Sequence, residues 1–472
     1  MKLTKYFIIT YLILSTQVLW AGTVDTTTIM KMGLPVLKIT TINGEEPTCD
    51  YVFAPEGADG ISITNATKVP GRAVLTERGK VLFDSGDYEK GVSGMTIKIR
   101  GNTTAYYYLK KPFKIKLQKK GDMLSRNDSR YYDKDWVLIS DGDDTFHTMI
   151  GFKINELMHR GWTPGYKYVN LIFNGDYRGI YMLVESVERN ADCRLNVDKQ
   201  TGYVFECDSY WWNEDVYFDT WLGKKYTFKY PDDEDITSEQ VDYIQQTMNT
   251  VEQSIIDGTY RHYIDVESFA SWILSHDILG TNDSGGSNIF LTKYDNTDTT
   301  KVVMSTLWDF DSTMKTFNRW AVIHYNFFYF KNLFDDPSTY FTYIYKRMWE
   351  EKSDSLFSQI DEFLTDFLNS KTAHDLDIAR SFNRYRWNED SLITVKDNIN
   401  EAQEWFNSRK AWLGQAIANM DYDPALQGIE NVSEQSKRHN DHTYSISGQI
   451  VNSEQNLKPG IYIRNGKKFI VH

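Results

Sequence analysis

The spacing of hydrophobic residues changes near residue 237, and this change divides the chain into two parts. In "MTIKIRGNTTAYYYLKKPFKIKL" apolar residues alternate with basic ones over two short runs, which is the period of half-buried strands. After Ser238 apolar residues recur every three or four positions in several long runs, which is the period of amphipathic helices. The pattern predicts an α+β protein with a β-rich small lobe and a mainly helical large lobe, the latter containing one short β interruption.

The β-rich part also carries one predicted helix and one hairpin. The segment "DWVLISD" predicts a strand, and a helix follows from about Thr145, where Asp144 is positioned to cap it. Asn174 and Gly175 stand between two apolar runs, a sequence typical of a two-residue hairpin turn. Together these elements predict a compact first lobe.

The composition of the segments that flank the two lobes predicts further boundaries along the chain. The N-terminus joins Lys2 and Lys5 to a short apolar run that ends in small residues, which is typical of a secretory signal peptide. Beyond Met420 the chain becomes polar and ends in short apolar runs separated by Gly and Pro. The predicted divisions are a signal peptide (1–21), an N-terminal β-rich region (22–93), a small lobe (94–236), a large lobe (237–420), a linker (421–441) and a C-terminal β module (442–472).

The net charge and the lengths of the apolar segments exclude some classes of binding partner. A formal net charge of -13 argues against a general binder of nucleic acid or anionic membranes, because both would be repelled. No segment after the signal has the apolar length to span a bilayer, so a secreted or surface-attached protein is expected. The three cysteines allow two interpretations: a pair between Cys193 and Cys207, or three unpaired thiols.

Two short motifs in the large lobe carry the candidate chemistry. "GTNDSGGSN" holds Asp283 and Asn288 five positions apart, and "LWDFD" holds Asp309 and Asp311. Phosphoryl transfer needs such a set, because one Asp can deprotonate an acceptor hydroxyl while an Asn and a later Asp hold a cation at nucleotide phosphates. The simpler alternative is that these residues form ordinary turns with solvated carboxylates.

The small lobe offers candidate phosphate-binding cations. Lys114 and Lys116 lie on the polar face of a strand that precedes the helix carrying Glu156, the order in which kinases place a phosphate-binding Lys and its paired Glu. An exposed basic strand face explains them equally well. Arg100 precedes a turn where it can approach phosphate. The chain has no GxGxxG loop, which argues against a conventional protein kinase.

In their order along the chain, these motifs resemble the spore coat protein H-like (CotH) kinase family from about Gly94 to Met420. The resemblance implies a divergent two-lobed protein-kinase-like fold. It also implies ATP with Mg²⁺ or Mn²⁺ and phosphorylation of Ser or Thr in secreted or coat proteins. The segments that carry it are "IKIRGNTT", "KKPFKIKL", "WVLISDGDDTFHTMIGFKI", "VNLIFNGDYRGIYMLVESV", "ILGTNDSGGSNIFL" and "LWDFDSTM".

The resemblance also implies roles for individual residues. It makes Asp283 the catalytic Asp and Asn288 and Asp309 metal-side residues, with Asp311 as their neighbour. Glu185 ends a "GxYxLxE" strand that the family shares, which implies a position near the nucleotide.

Two further features have open interpretations. Asp277 corresponds to an acid that family members carry ahead of the catalytic turn, or is merely a surface charge. The C-terminal "SISGQIV" and "LKPGIYIRNGKKFIVH" resemble sorting modules of the type IX secretion route, which implies contact with an export machinery. An ordinary β appendage is the alternative.

Two other function classes fit parts of the sequence. The first is a catalytically silent surface, coat-assembly or glycan-binding protein, for which 31 Tyr and 13 Trp supply stacking surface. The second is a glycosidase with Asp283 and Asp309 as its carboxylate pair, which leaves Asn288 unexplained. The sequence contains neither HExxH nor GxSxG, so zinc hydrolysis and the usual esterase mechanism have no support.

Overall fold

The computed structural model describes most of the chain. The predicted signal peptide, most of the predicted linker and the predicted capping side chain of Asp144 lie outside the described residues. The described ranges are 23–140, 142–158, 161–322, 327–387 and 393–427, followed by strand residues 443–445, 450–451, 460–464 and 467–471.

The first half of the chain forms a closed β-barrel with one additional strand. The strand order is β1-β9-β10-β8-β7-β6-β4-β5, and β1 also pairs with β4, so seven strands close into a ring. Alternate residues of β6 and β7 point into the barrel core, as the two-residue period predicts. The strands of this half are β1 (Val36–Thr41), β2 (Asp50–Phe53), β3 (Ile61–Thr64), β4 (Val69–Glu77), β5 (Lys80–Asp84), β6 (Met95–Ile99), β7 (Phe113–Gly121), β8 (Asp133–Ile139), β9 (Tyr166–Phe173) and β10 (Asp176–Glu185), of which β2 and β3 form a separate hairpin.

The hairpin between β9 and β10 is confirmed at the predicted turn. Asn174 and Gly175 have φ angles of 48° and 84°, the left-handed pair that a tight two-residue hairpin requires. The predicted boundary at residue 93 falls between β5 and β6, and both strands belong to the barrel sheet. The N-terminal β-rich region therefore shares a sheet with the small lobe.

Helices fill the second half, as the apolar period predicts. Thr237 caps the first long helix through a reciprocal bond with Gln240, and Thr394 caps the last long helix in the same way with Asp397. The helix predicted from Asp390 is confirmed from Val395 onward, directly after its cap. Within the described residues the helices are α1 (Thr26–Ile29), α2 (Thr103–Tyr107), α3 (Gly142–Leu157), α4 (Ser238–Ile256), α5 (Val266–Leu279), α6 (Phe328–Phe334), α7 (Tyr340–Leu368), α8 (Lys371–Trp387) and α9 (Val395–Ala418).

A second sheet joins the two halves. Its antiparallel order is β12-β13-β11-β14-β15, and β11 pairs with β14 along its whole length. The β interruption predicted inside the large lobe is therefore the edge of a five-stranded sheet whose other strands precede residue 237. Its strands are β11 (Tyr203–Cys207), β12 (Tyr217–Asp219), β13 (Lys225–Tyr230), β14 (Ile289–Lys293) and β15 (Val302–Met304).

One large apolar core connects α3, the second sheet and the long helices. Phe146, Ile150 and Ile154 of α3 are buried in it, at the spacing that predicts this helix. The helix lies against β10 on one side and α5 and α7 on the other. Strands and helices together confirm the predicted α+β class, whereas the kinase-like arrangement of two lobes stays a prediction.

The C-terminal segment forms a sheet of its own, with order β17-β16-β18-β19. Its strands are β16 (Thr443–Ser445), β17 (Ile450–Val451), β18 (Gly460–Arg464) and β19 (Lys467–Val471). These strands pair only with one another, and both the division into a separate C-terminal module and its sorting role stay predictions. All three cysteines are unpaired, which agrees with the second of the two interpretations. In the described part of the chain, no helix is both long and apolar enough to cross a membrane.

Candidate active site

The "LWDFD" motif is anchored to α3 by its central aromatic residue. Phe310 is buried, and a Cβ atom at Gly151 would come within 2.2 Å of its ring. The same ring meets Phe152 edge-on, with the centroids 5.6 Å apart. Because Phe310 points into the core, its neighbours Asp309 and Asp311 are left on the solvent side. Asp309 has a left-handed backbone with φ of 61°, a conformation that clusters at functional sites.

A buried amide fixes the backbone at the first residue of this motif. Asn155 of α3 is fully buried, and its Oδ1 accepts a hydrogen bond of 2.9 Å from the backbone N of Leu307. Its Nδ2 donates to the carbonyl of Trp162 and to the hydroxyl of Thr163, at 2.9 Å and 2.7 Å. The sequence analysis missed Asn155, although a polar residue on the apolar face of a helix was the available signal.

The turn that carries Asp283 lies alongside the "LWDFD" loop. It follows α5 after Gly280, whose φ of 66° ends the helix in the left-handed conformation. The backbone N of Asp283 donates to the Ser312 hydroxyl at 3.2 Å, and the hydroxyls of Thr281 and Thr313 are 2.9 Å apart. These bonds bring two motifs that are separate in sequence to one place.

Three carboxylates therefore crowd together. Burial, followed by the charges of Asp311 and Asp283, raises the pKa of Asp309 to about 7, while Arg100 opposes the rise. Burial and then Asp311 also raise the pKa of Asp283. Asp309 is accessible to solvent although protein surrounds it closely enough to shift its pKa, which is the situation of a side chain in a cleft.

Arg100 is the predicted cofactor-binding cation that the structure brings to these acids. It follows β6, and its backbone N donates to the carbonyl of Pro112 at 3.1 Å. Burial lowers the pKa of its guanidinium, and the charges of Asp309 and Glu206 oppose that effect. Arg100 therefore lies within electrostatic reach of both the "LWDFD" loop and the second sheet.

Asn288 completes the predicted metal-side set. It immediately precedes β14 and has a left-handed φ of 58°. Among the residues that the structure describes, no group of three or more His, Cys, Asp or Glu side chains is arranged to hold a metal ion. Two carboxylates and an amide are nevertheless the oxygen donors that Mg²⁺ prefers, and a cation would relieve the repulsion that, after burial, raises the pKa of Asp309. Metal ligation by Asn288, Asp309 and Asp311 stays a prediction with which the donor chemistry agrees.

A family model described as "CotH kinase protein" matches residues 97–413, more than half of the chain. The chain belongs to the CotH kinase family. This membership indicates a kinase-like function. No curated protein gives a match.

Within this CotH kinase chain, Lys114 pairs with a partner other than the one the sequence suggests. Its Nζ lies 2.9 Å from Glu188 and 3.4 Å from Asp135. Burial acts to lower the pKa of Lys114, but the two carboxylates outweigh burial and the pKa is raised. Lys116, two residues along the same strand, is exposed.

The suggested pairing of Lys114 with Glu156 is therefore corrected. Glu156 is exposed on α3 and forms its ion pair with Lys153 at 3.1 Å. The reason lies in the helix geometry. Gly151 and Asn155, four residues apart, form the face of α3 that meets the "LWDFD" segment, and the next position is turned toward solvent.

Glu185 and Asp277 lie inside the protein. The Glu185 carboxylate accepts a hydrogen bond of 2.8 Å from the backbone N of Gly165. It also pairs at 2.7 Å with Arg126, and the same guanidinium binds Asp122. Asp277 is completely buried and accepts a hydrogen bond of 2.7 Å from the Tyr345 hydroxyl. The interpretation of Asp277 as a surface charge is wrong.

The second sheet adds a charged group that sequence reasoning missed. Lys229 of β13 pairs with Glu206 of β11 at 3.0 Å. Burial, opposed by Lys229, raises the pKa of Glu206 to about 7. Burial would lower the pKa of Lys229, but Glu206, Asp208 and Glu214 together raise it. Since Arg100 feels the charge of Glu206, this group adjoins the cleft. The available signal was a charge inside the buried run "YVFEC".

Proposed function

We propose that this protein is an exported, metal-dependent kinase that transfers the γ-phosphate of ATP to Ser or Thr hydroxyls of secreted or surface proteins. The observation that carries the proposal is the cluster of Asp283, Asp309 and Asp311 near Arg100. Burial, followed by the charges of Asp311 and Asp283, raises the pKa of Asp309 to about 7, and Arg100 opposes the rise. Such a concentration of negative charge is electrostatically unfavourable, and proteins keep it mainly at sites where a bound cation or catalysis requires it. Family membership supports phosphotransfer as that task.

In this mechanism Asp283 is the general base. Its side chain is exposed and borders the other two acids, so an acceptor hydroxyl can approach it from solvent. A raised pKa makes its carboxylate a stronger base than an ordinary aspartate. As the acceptor oxygen bonds to the γ-phosphorus, the bond between that phosphorus and the bridging oxygen breaks. ADP leaves with the electron pair, and the hydroxyl proton passes to Asp283.

The phosphates need positive charge at fixed positions. Asn288, Asp309 and Asp311 would hold Mg²⁺ or Mn²⁺, which neutralises phosphate charge during transfer. Arg100 supplies a guanidinium beside them. Lys114 supplies an ammonium that Glu188 and Asp135 already hold in position, so little ordering is needed when phosphate arrives.

Export is proposed on separate grounds. The N-terminal sequence is typical of a secretory signal, and the C-terminal strands carry the sequence that resembles a sorting module. A fusion of residues 442–472 to a reporter would test this proposal by cell fractionation.

Thermal unfolding of the mature protein with ATP and Mg²⁺ or Mn²⁺ tests the nucleotide site. A ligand at 100 times its Kd stabilises the folded state by about 2.7 kcal/mol, so Tm of the wild type should rise. Asp309→Ala should abolish the rise, whereas Asp366→Ala, an exposed position on α7, should retain it.

Transfer from radiolabelled ATP to peptides then separates binding from chemistry. Asp283→Asn should keep the nucleotide-dependent rise of Tm and lose about 10²- to 10⁴-fold in kcat. Absence of any rise in the wild type at millimolar nucleotide would contradict the proposal and favour the catalytically silent surface or glycan-binding protein.

A further inference from the structure

Two large aromatic side chains stand in solvent directly after the "LWDFD" loop. Phe317 is 72% exposed and Trp320 is 56% exposed, in the segment from Lys315 to Val322. Single exposed aromatics are common on protein surfaces. Two of them three residues apart, on one segment beside a candidate active site, need a more specific explanation.

Buried hydrogen bonds fix the backbone of this segment. The guanidinium of Arg409, itself fully buried, donates to the carbonyls of Asn318 and Arg319 at 3.2 Å and 2.9 Å. Its Nε also donates to the carbonyl of Asp277 at 2.7 Å. The Nδ2 of Asn318 donates to the carbonyl of Gly280 at 2.8 Å. The two aromatic side chains are therefore presented from a backbone tied to the end of α5.

Both polar side chains between the two aromatics bond to other parts of the protein. The side-chain amide of Asn318 donates to the carbonyl of Gly280, and Arg319 donates to the carboxylate of Glu404 at 2.8 Å. A sugar would need hydrogen-bond partners for its hydroxyls beside an aromatic platform, and these two groups are committed elsewhere. The segment therefore suits an apolar side chain as its partner.

The same bonds limit the distance to the proposed base. Gly280 lies three residues before Asp283, and Phe317 adjoins Asn318, which bonds directly to Gly280. The chain path through this bond gives an upper limit of about 23 Å between the Cα atoms of Phe317 and Asp283, the length of roughly six to seven residues of extended chain. A polypeptide whose hydroxyl reaches Asp283 can therefore also reach Phe317.

We propose that Phe317 and Trp320 dock the acceptor polypeptide, which carries an apolar side chain within about six residues of the phosphorylated Ser or Thr. The inference rests on the proposed kinase function and adds to it a substrate class, an extended segment with a hydrophobic determinant. Aromatic side chains suit this role because they offer a large contact area and lose little conformational freedom on binding.

Peptide libraries provide the test. Each peptide has one central Ser or Thr, and a Leu is moved through the six positions on either side. The wild type should prefer one or two Leu positions. The double variant Phe317→Ala/Trp320→Ala should lose that preference, with KM for the best peptide raised about 10-fold or more. Its rise of Tm with ATP and Mg²⁺ should equal that of the wild type.

A matched double variant controls for the loss of exposed aromatics in general. Trp221→Ala/Tyr385→Ala removes side chains that are 54% and 62% exposed and lie outside the segment from Lys315 to Val322. This variant should keep the Leu preference. An active wild type without Leu preference, or an unchanged KM in the docking variant, overturns the inference and leaves the kinase proposal intact. A wild type that binds nucleotide but labels no peptide also overturns it. A wild type without any nucleotide effect refutes the kinase function itself.

Discussion

Two groups of carboxylates in this protein have opposite electrostatic surroundings. Inside the barrel half, Glu185 and Asp122 share the guanidinium of Arg126, at 2.7 Å and 2.9 Å. In the cleft, Asp309 and Asp311 repel each other, and the pKa of Asp309 is raised to about 7. Both carboxylates of the first group bind a cation directly, whereas the acids of the second group mainly face one another.

This difference separates residues that hold the fold from residues available for chemistry. When a buried acid has its own cation, removal of that cation alone leaves an uncompensated buried charge and destabilises the fold. Crowded acids without enough cations oppose folding, and proteins keep such groups mainly at functional sites. Substitutions in the two groups should therefore have opposite signs.

The largest effect is expected at Arg126. Arg126→Met leaves Glu185, whose side chain is only 2% exposed, without its ion-pair partner, and should lower the free energy of unfolding by about 3–5 kcal/mol. Arg130→Met is the control, because the pair of Arg130 with Asp128 is solvent-exposed and its loss should leave the unfolding midpoint unchanged. Urea titration measures both. Equal midpoints for the two variants would remove the distinction between the groups.

A smaller effect is expected at Lys114. Lys114→Met leaves Glu188 and Asp135 unpaired in a half-buried site and should cost about 1–2 kcal/mol, whereas Lys116→Met should be near neutral because Lys116 is exposed. Double-mutant cycles measured by urea titration test the pairing. A coupling energy of at least about 0.5 kcal/mol is expected between Lys114 and Glu188, and none between Lys114 and Glu156. The reverse result would restore the pairing suggested by the sequence.

Sequence reasoning reached the parts of the site that are encoded by neighbouring residues. The spacing of Asp283 and Asn288 and the "LWDFD" motif needed no knowledge of strand order, and the structure brings Asp283, Asp309 and Asp311 within electrostatic range. The alternating pattern of β6 and β7 likewise reports directly which face is buried.

Features that depend on pairing between distant segments were not predicted. Closure of the barrel requires β1 to lie beside β4, with Val36 opposite Thr76, and nothing local marks that register. Strand β11 is buried at every position, so it lacks the alternation that identifies a strand, and Glu206 within it was missed. Lys114 received the wrong partner because Glu188 is distant in sequence and only the fold brings the two together.

The smallest expected effect, and the one with the opposite sign, is at Asp309. Its pKa is about 7 in the folded protein and about 3.9 in an unfolded aspartate, so the folded state holds the proton more tightly. The contribution of this group to the free energy of unfolding is therefore fully present below pH 4 and is lost as the pH rises toward 7. Asp309→Asn should therefore gain stability over the wild type between pH 5 and pH 8, by on the order of 1 kcal/mol because the side chain is partly solvated. Mg²⁺ with ATP should reverse the order of the two proteins by stabilising only the wild type. Thermal unfolding across this pH range measures the difference, and a gap that does not change with pH would show that Asp309 is not under electrostatic strain.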